Sequence, residues 1–450
     1  MQQASLPKGT RDFSPAVMLR RNYITDTIKS VYRAYGFDPI ETPAMENLST
    51  LTGKYGLEGD KLLFKILNSG DYLAKADANA LTAGDSARLV SSISEKGLRY
   101  DLTVPFARYV VQNQSNITFP FRRYQIQPVW RADRPQKGRY REFWQCDADV
   151  IGTKSLLCEA DFINIYHAIF TKLGLSNYQV RINHRKVLEA IAVTIDYKGS
   201  FTDLTIAIDK LDKIGWDGVS KELLGKGLSE ANISTLQSLL VVKTFNRDTI
   251  NELSQVLVDC PEKTIGLQEL EDVLNFGTHE DVTIALDLSL ARGLDYYTGC
   301  IFEAVIQDSG IGSVSGGGRY DDLTGIFGLK DVSGVGISFG LDRLYDIMLQ
   351  SDLFTDDGLQ NKILFCHFDK ISMQYCIEQA NKLRTSGLTA VVYPDHKKIK
   401  KQFDYANKSG FNWVAVVGDN EIKDQVVQLK NMTTGQQDQV SIENLIEHLS

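Results

Sequence analysis

The sequence predicts an α+β protein: a sheet domain over residues 1–355, interrupted by a helical block at 190–278, then a smaller α/β domain over 361–450. Three observations carry that prediction. Residues 121–131 and 143–151 alternate polar and apolar side chains with the period of two that a half-buried strand requires. Between about 190 and 278 the pattern turns helical and charged, and strand-like alternation then returns at Val282–Leu288. After Asp356-Asp357-Gly358, short apolar strands alternate with amphipathic helices.

Taken in order, the first helix is marked by Ile24, Ile28, Val31, Tyr32 and Tyr35 at three- and four-residue spacing, with Gly36 as its stop. Gly36 to Pro43 leads into a short extended piece. From Leu98 to Ile151 the chain reads largely as strands. Within it, Arg123, Gln125, Gln127 and Arg131 fall on one face and Tyr124, Ile126 and Trp130 on the other. A basic turn, Asp133 to Tyr140, joins this run to Phe143–Ile151, predicting a long antiparallel hairpin. Glycines cluster at 316–318 and at Gly334, Gly336 and Gly340, before a helix from about Leu341. In the last domain, strands at Ile363–Cys366, Ala390–Tyr393 and Trp413–Val417 alternate with helices at Gln374–Leu383 and Lys400–Lys408, so the sheet should have a parallel core.

Composition narrows the class. The 450 residues are 43% hydrophobic and 24% charged, which supports folded cores and argues against disorder. No apolar run approaches the roughly 18–20 residues that span a bilayer, and the N-terminus has no signal-like segment, so a cytoplasmic location is expected. The six cysteines are scattered without a Cys-x-x-Cys pair, so no structural metal or disulfide framework is expected. A net charge of −8 argues against a general nucleic-acid coat and leaves room for local basic surface.

Such a surface is present. Residues 122–143 hold seven basic and two acidic side chains, and arginine's planar fork suits phosphate oxygens. A charged, solvated edge hairpin would explain the arginines alone, but not Gln145, Asp147 and Asp149 on the continuing polar face. The stretch LARGLDYYTG from Leu290 puts Arg292 in phase with Leu288 and Leu290, so alternation would bury it unless a bulge turns it out. The glycine stretches match neither a Walker loop nor the dinucleotide fingerprint, and they read as strand backbone lying close under a ligand.

Together these residues resemble the class II aminoacyl-tRNA synthetases, and within them the histidyl-tRNA synthetase family. Arg131 and Phe143 are similar to motif 2, Gly334 to Arg343 to motif 3, and Gly36 to Pro43 to the motif 1 dimer segment. LARGLDYYTG and SGGGRYDDL resemble the two stretches peculiar to the histidine enzymes, and LRYDLTVPFARY from Leu98 resembles their amino-group-binding segment.

The resemblance implies a six-stranded antiparallel sheet, an anticodon-binding C-terminal domain and a homodimer. It implies ATP-dependent attachment of L-histidine to tRNA(His) through a histidyl-adenylate, with Mg²⁺ accompanying ATP and ligands for it unknown. Arg131 and Arg292 would be catalytic. Asp101, Thr103, Gln145, Asp149, Tyr296 and Tyr297 would bind histidine. Arg131, Asp133, Arg139, Tyr140, Phe143 and Arg343 would bind ATP, while Gln136 and Lys137 would face tRNA. Asp101 departs from the Glu found at its position in some relatives, which keeps the charge on a shorter arm. The alternative is a non-catalytic histidine-binding relative, the regulatory subunit of ATP phosphoribosyltransferase, which typically lacks the anticodon module and the catalytic arginines.

Overall fold

A computed structural model describes residues 4–136, 138–277, 280–291, 297–354 and 362–449 of the chain. The first helix, Pro15–Ala34, is capped by Ser14, whose hydroxyl accepts from the Val17 amide, with proline in its first turn. It buries Ile24, Ile28, Val31 and Tyr32, and ends at Gly36, where φ is +77°. The chain then forms the two-residue strand Asp38–Pro39, which pairs in parallel with Arg123 and Tyr124.

Among the described residues the main sheet has nine strands. From one edge they run Asp38–Pro39, Phe121–Trp130, Glu142–Ile151, Gly334–Gly340, Ser315–Tyr320, Cys300–Ile306, Tyr178–His184, Ile284–Leu286 and Lys243–Thr244. The six strands from Phe121–Trp130 to Tyr178–His184 pair antiparallel throughout, as the resemblance implies. Short strands extend them at both edges.

Period-two alternation sorts the side chains between two faces. Tyr124, Cys146, Ala148, Val150, Val335, Ile337 and Phe339 join the apolar core with the helices Pro15–Ala34 and Leu157–Lys172. Arg123, Gln125, Asp147 and Asp149 lie on the other face, yet they too are buried, none more than 2% exposed. Part of their cover is the helix Thr103–Asn113, whose Phe106 ring lies 4.1 Å from the Arg123 guanidinium.

That helix corrects the expectation that 98–151 is largely strand. Val104, Phe106, Ala107 and Val110 are buried at helical spacing, and the Asp101 carboxylate accepts the Val104 amide at 3.2 Å, satisfying a donor in the first turn. A second correction concerns Val282–Leu288. The strand is confined to Ile284–Leu286, and a turn follows at Leu288–Ser289. The alternation that would have buried Arg292 therefore stops short of it, and Arg292 itself lies outside the described residues.

The helices from Arg185 to Phe276 contribute Leu204, Val219, Leu236, Leu253 and Leu270 to the same apolar core as the sheet. The chain divides into two compact units at residues 354 and 355, with this helical block inside the first. The second unit has a five-stranded sheet. Its strands Thr389–Val392, Lys362–His367 and Trp413–Val417 are parallel, and two further antiparallel strands, Val426–Asn431 and Gln437–Ser441, complete it.

Arg319, from the glycine-rich strand, is locked to helix Leu157–Lys172 by two contacts with Glu159, at 2.6 and 2.7 Å. Ser333 supplies a further partner at 2.6 Å. Glu159 is fully buried. Removing one partner of such a pair leaves the other charge buried without compensation. Glu159→Gln should therefore lower folding stability by about 3 kcal/mol, read from urea unfolding; a loss below about 1 kcal/mol would show that the pair is dispensable.

Candidate active site

Register places the polar face in rows across four strands. Arg123 lies opposite Asp149, which lies opposite Gly336 and then Gly318. In the next row Gln125, Asp147, Ser338 and Gly316 follow one another in the same way. Side chains thus crowd two strands while the adjoining two offer backbone. The glycine at 336 has a steric reason: a Cβ there would stand 2.0 Å from the Asp149 Oδ1.

Over this face opens a cavity of about 270 Å³. Asp101, Thr103, Gln145 and Tyr297 line it, as do Arg131, Asp133, Arg139, Tyr140, Phe143 and Arg343. Ten of the residues singled out from the sequence are thereby brought together around one space. Asp149 is not on its wall. Its carboxylate accepts the Tyr320 hydroxyl at 2.7 Å and forms an ion pair with Arg123 at 2.7 Å, without the angles of a hydrogen bond. Gln136 is exposed in the turn, its amide bonded to the Arg139 carbonyl at 3.1 Å and its carbonyl to the Arg139 amide at 2.9 Å. Arg292, Tyr296 and Lys137 lie outside the described residues.

Buried acceptors dominate the inner part. Asp101 is 2% exposed; its Oδ1 takes the Tyr55 hydroxyl at 3.0 Å as well as the Val104 amide, whereas Oδ2 has no hydrogen-bond partner among the described residues. Gln145 donates to the Ser338 hydroxyl at 2.8 Å and leaves its Oε1 buried, likewise without a partner among the described residues. Two such acceptors on one cavity favour a donor-rich, cationic group. Burial pushes the carboxyl groups of Asp101, Asp147 and Asp149 above the usual range, and the opposing pull of Arg123 on the last two does not cancel it. Burial also raises the Tyr297 hydroxyl, with Asp149, Asp147 and Asp101 adding to the effect. Tyr297 therefore stays a neutral phenol, able to donate or accept.

The outer part is cationic and aromatic. Arg131 donates from Nε to the Tyr100 carbonyl at 3.0 Å and lies over the Tyr100 ring at 4.2 Å. The Phe143 ring is 5.2 Å from the same guanidinium. Arg343 enters from the start of helix Leu341–Gln350 and donates to the carbonyls of Gly138, at 3.1 Å, and Ser313. Asp133 approaches Arg139 loosely, at 3.7 Å. Among the described residues no cluster of three or more His, Cys, Asp or Glu side chains is arranged to hold a metal. Both Asp342 oxygens are engaged, by Arg11 and Arg21 on one and the Trp144 amide on the other.

Several site residues carry no assignment from the sequence. Asp147 is visible in the parity of the strand, between Gln145 and Asp149. Tyr320 stands inside the glycine-rich signature, but its bond to Asp149 spans 171 positions. Tyr55, 46 positions from Asp101, has no sequence signal of its own.

Comparison with known proteins adds two family matches: a family model described as histidyl-tRNA synthetase over residues 71–344, and one described as anticodon binding domain over 360–450. The chain is similar to proteins named histidine--tRNA ligase from Christiangramia forsetii, at 51% identity covering 99% of this chain and 98% of that one. The protein of the same name from Cytophaga hutchinsonii is 49% identical, with both chains covered in full. Among solved structures, the histidyl-tRNA synthetase of Nostoc sp. PCC 7120 aligns with a TM-score of 0.83 at 30% identity, over 100% of this chain and 99% of that one.

The raised Asp147 carboxyl has a measurable consequence. The folded chain keeps this proton to higher pH than the unfolded chain, so the contribution favours folding below about pH 4 and is lost as pH rises through the raised value. Asp147→Asn should flatten the fall in stability between about pH 5 and about pH 8 by at least about 1 kcal/mol. Urea unfolding at the two pH values checks it; an unchanged difference would mean that Asp147 titrates as an ordinary carboxylate.

Proposed function

Because the chain belongs to the histidyl-tRNA synthetase family, we infer that its cavity supports ATP-dependent attachment of L-histidine to tRNA(His), by way of a histidyl-adenylate and with release of AMP and pyrophosphate. The observation that carries this reading is the meeting, in one cavity, of buried acceptors that have no partner among the described residues with an arginine- and aromatic-lined outer end.

The chemistry follows from charge. A histidine carboxylate oxygen attacks the α-phosphorus of ATP, the bond to the β-phosphate oxygen breaks, and pyrophosphate leaves with the electron pair. Two anions must meet, so the reaction needs cations held in place beforehand. Arg131 takes this role at the α-phosphate and the substrate carboxylate, and Arg292 is assigned the opposite side from the family resemblance. Phe143 and Arg343 sandwich adenine, Asp133 meets its exocyclic amine, and Arg139 and Tyr140 contact the triphosphate. Mg²⁺ arriving with ATP would offset phosphate charge. Such an ion would be held largely by phosphate oxygens and water.

Histidine is selected by the inner acceptors. Its α-ammonium group satisfies the Asp101 Oδ2 and Gln145 Oε1, with Thr103 beside them. Tyr297, Tyr296 and Asp149 are assigned to the imidazole, so a side chain lacking matching groups would strand buried polar atoms, a penalty of about 10⁴–10⁵ in selectivity. Gln136 and Lys137 would meet the tRNA acceptor end. We assign a homodimer from the resemblance of residues 36–43 to motif 1. The non-catalytic regulatory reading is less supported, because the match to histidine--tRNA ligases covers nearly the whole chain, its anticodon-binding unit included.

Amino-acid-dependent pyrophosphate exchange, run across a panel of amino acids, tests the assignment. Histidine alone should drive exchange, and exchange driven equally by another amino acid would reject it. Arg131→Ala should reduce histidine-dependent exchange by about 10²–10³ with folding intact; near-normal turnover would remove the arginine from the chemistry. Asp149→Ala should raise the KM for histidine by at least about 10-fold more than that for ATP, whereas equal losses for both substrates would make the residue structural.

A further inference from the structure

The segment before the first helix crosses the outer end of the cavity wall. Gly9 accepts the Arg141 amide at 2.9 Å and has φ +88°, a left-handed conformation that glycine adopts without strain. It also fits closely, since a Cβ there would stand 2.8 Å from the Arg141 Cγ and 3.0 Å from the Pro135 ring. Two residues on, the Arg11 guanidinium carbon lies over the Tyr140 ring, 3.3 Å from its centroid, and the group pairs with Asp342.

Both contacts reach residues that tie the two halves of the cavity wall together. Asp342 accepts the Trp144 amide at 2.9 Å, which joins the start of helix Leu341–Gln350 to strand Glu142–Ile151. Tyr140 donates to Asp346 on the same helix at 3.1 Å. Arg21, from the first helix, shares the Asp342 oxygen at 2.6 Å. The strand carries Phe143 and the helix carries Arg343, so these bonds set the gap between the two side chains assigned to adenine. Arg11 lies outside the residues that line the cavity.

We propose that Arg11 is a positioning residue for ATP: by packing on Tyr140 and pairing with Asp342, it holds the basic turn against helix Leu341–Gln350 and so fixes the spacing between Phe143 and Arg343. The inference rests on the function proposed above. The guanidinium contributes twice, as a plane against the phenol and as a charge for a buried carboxylate. Lysine reproduces the second contribution and not the first. The inner acceptors, Asp101 and Gln145, are anchored by separate partners, Tyr55 and Ser338. Loosening the strap should therefore spare histidine.

Steady-state pyrophosphate exchange with the full-length protein separates the cases. Arg11→Ala should raise the KM for ATP by about 10-fold or more, with the KM for histidine within about 2-fold of the unaltered protein and with an unchanged far-ultraviolet spectrum. Arg11→Lys should recover part of that loss. Gly9→Ala, which displaces the strap without touching Asp342, should show the same selective rise for ATP. Equal changes in both KM values, or a fall in kcat alone, would overturn the proposal. So would a KM for ATP that stays within about 2-fold in both Arg11→Ala and Gly9→Ala. Failure of the unaltered protein to exchange with histidine would instead sink the functional assignment beneath it.

Discussion

Desolvation of three carboxylates on one side of an antiparallel sheet is the constraint on which the rest of the first unit depends. Asp101, Asp147 and Asp149 are each no more than 2% exposed, and burial disfavours their charged forms. Arg123 offsets part of that cost from the neighbouring strand, and it is itself 0% exposed and packed on Phe106. Hydroxyl groups of Tyr55, Tyr320 and Ser338 take up further lone pairs. Among the described residues, Asp101 Oδ2, Asp147 Oδ1, Asp149 Oδ2 and Gln145 Oε1 are left without a hydrogen-bond partner, and of these residues Asp101 and Gln145 line a space suited to a cation.

The same arrangement accounts for the glycines. A ligand lying over a sheet needs backbone where side chains would otherwise stand, and Gly316, Gly318 and Gly336 lie in the rows that carry Asp147 and Asp149. A methyl group on Gly336 would strike the Asp149 carboxylate, and one on Gly318 would come within 2.9 Å of the Tyr297 ring. The signature stretch is thus a packing requirement with a chemical result. Arg319, in the same strand, faces away into the helix layer and serves cohesion through Glu159.

The outer wall works by different means. Its cations are not buried as a group: Arg131 is held by the Tyr100 carbonyl and ring, Arg343 donates to the carbonyls of Gly138 and Ser313, and Arg139 pairs loosely with Asp133. A carbonyl partner orients a guanidinium without itself neutralising it, which suits a polyanion. Close carboxylate contacts brace the wall from behind, Asp342 with Arg11 and Arg21 and Asp346 with the Tyr140 hydroxyl.

Much of this was legible without coordinates. Alternation at Arg123, Gln125, Gln145, Asp147 and Asp149 determined which side chains share a face, because a strand's period of two leaves no choice once the hairpin forms. Residue types in the basic turn and the glycine runs pointed to phosphate and close backbone approach. The helix at Thr103–Asn113 was not legible. The Asp101 carboxylate accepts one amide of its first turn and also lines the cavity, a double use that a linear pattern does not display. The partners Tyr55, Tyr320 and Arg11 come from distant positions, and only the folded chain decides that they meet Asp101, Asp149 and Tyr140. Hydrogen-bond distance and desolvation are properties of the assembled interior: a linear pattern states which groups can be buried together, and tertiary packing decides which of them are satisfied and which are left waiting for a ligand.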